Sequence, residues 1–132
     1  MAHRERIWNG ISIDAHIPTS ALDQLNRMEG IELRSSCEGS GPERPTFLIV
    51  RLRDSEDAKK AENFVIALNS FEDIECGYDR GNMGLFRIGV TTPLWYEKNP
   101  EKFIQWWMAL PVKFAVVLAV NQVLALTSDE NQ

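Results

Sequence analysis

The segment Leu25-Asn26-Arg27-Met28-Glu29-Gly30-Ile31-Glu32 recurs later in the chain as Leu68-Asn69-Ser70-Phe71-Glu72-Asp73-Ile74-Glu75. Five of the eight positions are identical, and Met28 and Phe71 are both apolar. The flanks agree as well. Upstream of the first copy, Ile17, Ala21, Leu25 and Met28 fall at spacings of four, four and three. Upstream of the second, Ala58, Ala61, Val65, Leu68 and Phe71 make a similar row, with Phe64 alongside. Both stripes are what an amphipathic helix needs to bury one face. Pro18 suits the first turn of the first helix, where a missing N–H costs nothing. Asp54 or Ser55 is expected to cap the second, with Glu56 and Asp57 complementing its dipole.

Each copy leads into a pair of expected strands. In the first unit they are Ile31–Cys37 and Thr46–Arg53; in the second, Ile74–Tyr78 and Leu85–Thr91. Glycine-containing connections, 38–45 and 79–84, separate the members of each pair. Two αββ units, about 17–53 and 55–92, are each too small to bury their own apolar face. They are expected to join into one mainly antiparallel sheet of four to five strands with the helices packed on it, an α+β fold. Ile7–Ile13, where Ile11 and Ile13 alternate with Ser12 and Asp14, is the candidate fifth strand at an edge, which would open a βαββαβ order.

The C-terminal region, about 99–127, reads as two helices. Asn99 is a good N-cap, Pro100 a good first helical residue, and Glu101 suits the dipole. Pro111 is expected to break or kink the run that carries Phe103, Ile104, Trp106, Trp107 and Leu110. Beyond it, 112–126 is apolar around nearly its whole circumference, and Phe114–Leu118 also suits a strand. Such a segment must be covered, by the sheet's second face or by a second subunit, so a homo-oligomer joined through the C-terminal helices is expected. Gln105, Pro111, Lys113, Asn121 and Gln122 interrupt the apolar run, which argues against a membrane span. Ser128–Gln132 reads as a frayed tail.

The 132 residues, 15.0 kDa, suit a single domain spanning 1–132. With 19 acidic and 14 basic residues the net charge is −5, which withholds the usual electrostatic footprint of a nucleic-acid binder. Two cysteines, Cys37 and Cys76, make no disulfide framework and fit a reducing, cytoplasmic setting. The charged start, Met1–Arg6, leads into no apolar stretch of the kind a secretory signal needs.

The first candidate site is Ser35-Ser36-Cys37-Glu38-Gly39-Ser40-Gly41, where a strand ends in a glycine-rich turn. Hydroxyls, a thiol and a carboxylate meet there beside backbone able to approach an anion, and Arg34 and Arg44 would lower the thiol's pKa. The bland alternative has Cys37 continuing an inward row of Ile31, Leu33 and Ser35 as a small core residue.

The run Gly30-Ile31-Glu32-Leu33-Arg34-Ser35-Ser36-Cys37-Glu38-Gly39, with Leu25-Asn26 before it, resembles a pattern in small uncharacterised prokaryotic proteins, a strand ending in Ser-Cys-x-Gly-His. It is also similar to the Ser-Ser-Cys-x-Gly-Arg signature of the wybutosine-synthesis tRNA methyltransferase family. That resemblance covers about fifteen residues. By position only Ser35, Ser36, Cys37 and Gly39 correspond, and Ser40 stands where those patterns have Arg or His. The resemblance implies an S-adenosylmethionine-dependent enzyme acting on RNA, with its site at the turn.

The second candidate is the sheet's outer face. Alternation sets Leu48, Val50 and Leu52 against Phe47, Ile49, Arg51 and Arg53, and Phe86, Ile88 and Val90 against Leu85, Arg87, Gly89 and Thr91. In the first strand it sets Ile31, Leu33 and Ser35 against Glu32, Arg34 and Ser36. A face with Arg34, Arg51, Arg53, Arg87 and Phe47 could hold an anionic ligand or RNA; the alternative is a solvated face balanced by Glu32 and Glu75, or one partly covered by the C-terminal helices. His3, His16, Cys37 and Cys76 show no zinc-ligand spacing, and no metal is expected. Cys76 aligns with Leu33 and reads as core. Trp95, Tyr96, Trp106 and Trp107 suit a subunit interface or a satellite core equally. These features point to a domain acting by binding or self-association, with the methyltransferase-like enzyme as the alternative.

Overall fold

A computed structural model describes residues 5–39, 41, 43–53, 58–81 and 85–130. His3, Ser40, the expected caps at 54–57 and residues 82–84 of the second connection lie outside the described residues. The order is β1 (Glu5–Trp8), β2 (Ile11–Asp14), α1 (Thr19–Asn26), β3 (Ile31–Cys37), β4 (Thr46–Leu52), α2 (Ala58–Asn69), β5 (Glu75–Arg80), β6 (Phe86–Thr92) and α3 (Pro100–Glu130). The chain is α+β. Strands β3-β4-β6-β5 form one antiparallel sheet, and β1-β2 a separate hairpin.

The two similar segments follow the same local path. Each ends a helix, turns, and starts a strand. Met28 N–H donates to Leu25 O at 3.1 Å and Phe71 N–H to Leu68 O at 3.2 Å. Leu25, Leu68, Ile31 and Ile74 are buried at matching places. Most of the expected stripes are buried: Ile17, Ala21 and Leu25 on α1 and its approach, joined by Leu22, and Ala61, Phe64, Val65 and Leu68 on α2; Met28 and Phe71 are half-buried and Ala58 is exposed. At the free edge of the sheet, the Asn69 amide both donates to Cys76 O (3.0 Å) and accepts from Cys76 N–H (2.8 Å). A side chain thereby satisfies backbone groups that an edge strand otherwise leaves to water.

Three expectations about the elements need correction. Residues 7–13 do not add an edge strand to the main sheet. They turn back on themselves, because Asn9 and Gly10 take φ of 49° and 75°, the handedness a two-residue hairpin requires. Trp8 Nε1 donates to Asp23 Oδ1 at 2.6 Å and the Arg6 guanidinium donates to Ile17 O, tying the hairpin to α1.

The C-terminal region is one helix, running through Ser128 to Glu130, with Pro111 inside it. Proline removes one ladder bond and crowds the carbonyl four residues back. Here Trp107 and Leu110 before it and Phe114 and Val117 after it are all buried, so packing on both sides carries the helix across. Asn99 caps it as expected, accepting from Lys102 N–H at 3.1 Å.

α3 also does not cover the sheet's second face. It packs against α1 and α2, with Phe114 edge-on to Phe64 at 5.5 Å and Lys113 Nζ 3.1 Å from Asp73 Oδ1. Trp106 donates to Asp73 O at 3.0 Å, and both Trp106 and Trp107 are core residues. The inner strand residues Leu48, Val50, Leu52, Phe86, Ile88 and Val90 are buried, whereas Phe47, Ile49, Arg51, Arg87 and Thr91 on the other face stay partly or fully open.

Candidate functional site

The end of β3 differs from simple alternation. Leu33 pairs with Val50, but Ser35 pairs with Ile49, so Arg34 is the extra residue of a β-bulge. One extra residue reverses every side chain after it. Ser35 and Cys37 therefore share the outer face with Ile49 and Phe47, and Ser36 turns inward opposite Leu48. The inward row expected through Ser35 to Cys37 stops at Leu33.

The strand end is clamped by residues from distant parts of the chain. Glu38 is only 1% exposed, and its Oε2 lies 2.7 Å from His16 Nδ1. Its backbone N–H donates to Asp14 Oδ2 at 2.9 Å, and its carbonyl accepts from Thr46 Oγ1 at 2.8 Å. The same hydroxyl contacts Leu94 O at 2.5 Å. The His16 ring stacks on Tyr96 with centroids 3.7 Å apart, and Tyr96 meets Phe103 edge-on. Gly39, at φ 74°, is the one residue that fits next: a Cβ there would lie 2.7 Å from Thr46 N and 2.8 Å from Arg44 O.

Electrostatically this is not a thiolate site. Burial pushes the Cys37 thiol up, and the carboxylates of Asp14 and Glu38 push it further; only the Gly39 N–H, 3.4 Å from Sγ, pulls it down. The expected lowering by Arg34 and Arg44 is overturned by these neighbours. Arg34 Nη1 is spent on Glu32 at 2.9 Å, and exposed Arg44 sits in the turn, bridged to Gly41. Cys76, on the inner face opposite Val90, is pushed up to about 12 by burial alone. Both cysteines are free.

Of the residues singled out at the turn, the structure gathers Cys37, Glu38 and Gly39 with Asp14, His16 and Tyr96. It leaves Ser35 exposed on the outer face and Arg34 and Arg44 away from the cluster. No set of His, Cys, Asp and Glu among the described residues could hold a metal ion.

Several charges of the outer face are paired. Arg51 Nη2 reaches Glu32 Oε2 at 2.6 Å, which together with Arg34 holds the Glu32 carboxyl below the usual carboxylate range. Arg87 grips Asp79 with two bonds, Nε to Oδ1 at 3.0 Å and Nη2 to Oδ2 at 2.8 Å. Arg53 is exposed beyond the end of β4.

The third surface lies on α3. Val112, Val116, Val120 and Val123 are 64%, 50%, 44% and 60% exposed and follow one another at helical spacing, continuing the line from Met108. By length and composition alone, Pro100–Val123 could cross a membrane; 39% of that apolar window is buried inside the domain. Comparison of the chain with protein-family models, curated proteins and solved structures finds no match.

Proposed function

We propose that this domain works by self-association, as a homo-oligomer whose subunits meet through the outward face of α3. The carrying observation is the exposed valine line, Val112, Val116, Val120 and Val123, on a helix whose opposite side is spent in the core. Exposed Ala115 and Ala119 flank it, so a second helix can approach closely. A line of this kind is self-complementary about a two-fold axis, the commonest symmetry of soluble oligomers.

A second copy suits the surface better than a lipid surface does. An interfacial helix sets its apolar face against a charged one. Here the reverse side carries Phe103, Trp107, Leu110, Phe114 and Val117 inside the domain. The free cysteines support placing the protein in a reducing, cytoplasmic compartment. Light scattering at high protein concentration is the test. A mass of two or more chains is the expected outcome; a strict monomer removes the reading.

A second reading rests on His16. The Ser-Cys-x-Gly pattern lacks its basic residue at position 40, and His16 brings an imidazole to the neighbouring Glu38 from outside the strand. That supports an S-adenosylmethionine-dependent enzyme with its site at the Ser35–Gly41 turn. Millimolar S-adenosylmethionine would then raise the melting temperature, since a ligand selective for the folded state stabilises it. No shift would leave self-association alone.

A further inference from the structure

Gly77 and Gly89 face each other across β5 and β6, and Gly89 in turn pairs with Ile49. The three share the outer face and floor an open groove of about 530 Å³. Glu75 and Thr91 stand at one rim, Asp79 and Arg87 at the other.

Neither glycine is demanded by the fold. Neither takes a positive φ, and an added Cβ at either would meet nothing within 4 Å. Glycine weakens a strand relative to β-branched residues, on a scale of about 1 kcal/mol. Such glycines in a strand interior mark a bulge, a tight bend or the close approach of a ligand or another backbone, and the pairing of β5, β6 and β4 runs through Gly77 and Gly89 without a register shift. Two side by side lay bare a flat patch of peptide planes beside the Ile49 side chain.

From this geometry we infer that the groove binds a planar heteroaromatic ring bearing an amino group, stacked on the peptides of Gly77 and Gly89. The flat floor and the groove's volume suit a small ring system. Asp79 and Arg87 satisfy one another at one rim. At the other, the exposed Glu75 carboxylate accepts hydrogen bonds only, so it selects a donor such as a ring amine. The site lies on the sheet and is independent of the α3 surface.

Two measurements on the full chain test it. Replacing either glycine by a strand former, Gly77→Val or Gly89→Val, should hold or raise the melting temperature; a clear fall would mean the fold itself needs glycine and would overturn the inference. Amide resonances of Gly77, Gly89 and Thr91 should shift saturably with millimolar adenine, less with unsubstituted purine, less in Glu75→Gln, and not in Gly89→Val. Absence of saturable shifts with adenine overturns it, as do shifts that follow protein concentration without adenine, which would mean a second copy covers the groove.

Discussion

His16 and Glu38 are 22 residues apart in sequence, yet the imidazole Nδ1 lies 2.7 Å from a carboxylate oxygen that is almost wholly buried. The contact joins the β2–α1 connection to the end of β3, and the Asp14 carboxylate beside it accepts the Glu38 N–H. Glu38 is closed to water, whereas the His16 side chain is a little over a third exposed. His16→Ala is therefore expected to cost about 1 kcal/mol, the lower part of the scale for a lost hydrogen bond to a buried group. Urea denaturation reads this directly, and His16→Gln, which keeps a donor, should recover part of the loss.

Gly39 offers a sharper contrast. A methyl group there meets the Thr46 and Arg44 backbones below 3 Å, and the left-handed φ adds strain. At Gly10, with φ 75°, the same substitution meets nothing within 4 Å. Gly10→Ala should cost about 1 kcal/mol, the left-handed penalty alone, and Gly39→Ala clearly more. Equal losses in thermal unfolding would contradict this account of the turn.

The thiols should be slow to react. Burial raises both, and Cys37 also faces two carboxylates. Iodoacetamide near neutral pH is expected to label both more slowly than a free peptide thiol, and at the full rate only after unfolding. For Cys76 the sign is definite: its folded pKa of about 12 lies above the unfolded value of about 8.5. The stability it contributes is complete below the unfolded value and is lost as pH rises towards the folded one. Cys76→Ala should flatten that alkaline limb.

Glu32 acts at the other end of the scale. Its carboxyl is held down by hydrogen bonds from Arg51 and then Arg34. The stability it contributes is present above the unfolded pKa, about 4.3, and is lost as pH falls through the lower folded value. Glu32→Gln should make the acid limb of a stability–pH profile shallower. An unchanged limb would show that the pairing carries no net stability.

Much of the architecture was legible because it rests on periodicity. The rows Ile17-Ala21-Leu25 and Ala61-Val65-Leu68 are the buried faces of their helices, and the strand at Ile31–Cys37 lies where its pattern places it. The hairpin at Glu5–Asp14 carried a signal that periodicity passes over, the Asn9-Gly10 pair. The bulge at Arg34 left only a faint trace, the loss of apolar alternation after Leu33, yet it moves Cys37 to the opposite face. Pro111 misled because a local rule yields where flanking side chains are locked in a core. The His16–Glu38 contact left no trace, since nothing local records which distant residue a buried carboxylate will meet.

Self-association through α3 is tested most directly by sedimentation velocity across the micromolar range, with wild type beside a Val116→Asp/Val120→Asp variant. Both positions face solvent in the isolated chain, so the variant should keep its circular dichroism spectrum. The account predicts a dimer or larger species for wild type and a monomer for the variant. A wild-type protein that stays monomeric throughout, or a variant that assembles as well as wild type, would contradict it.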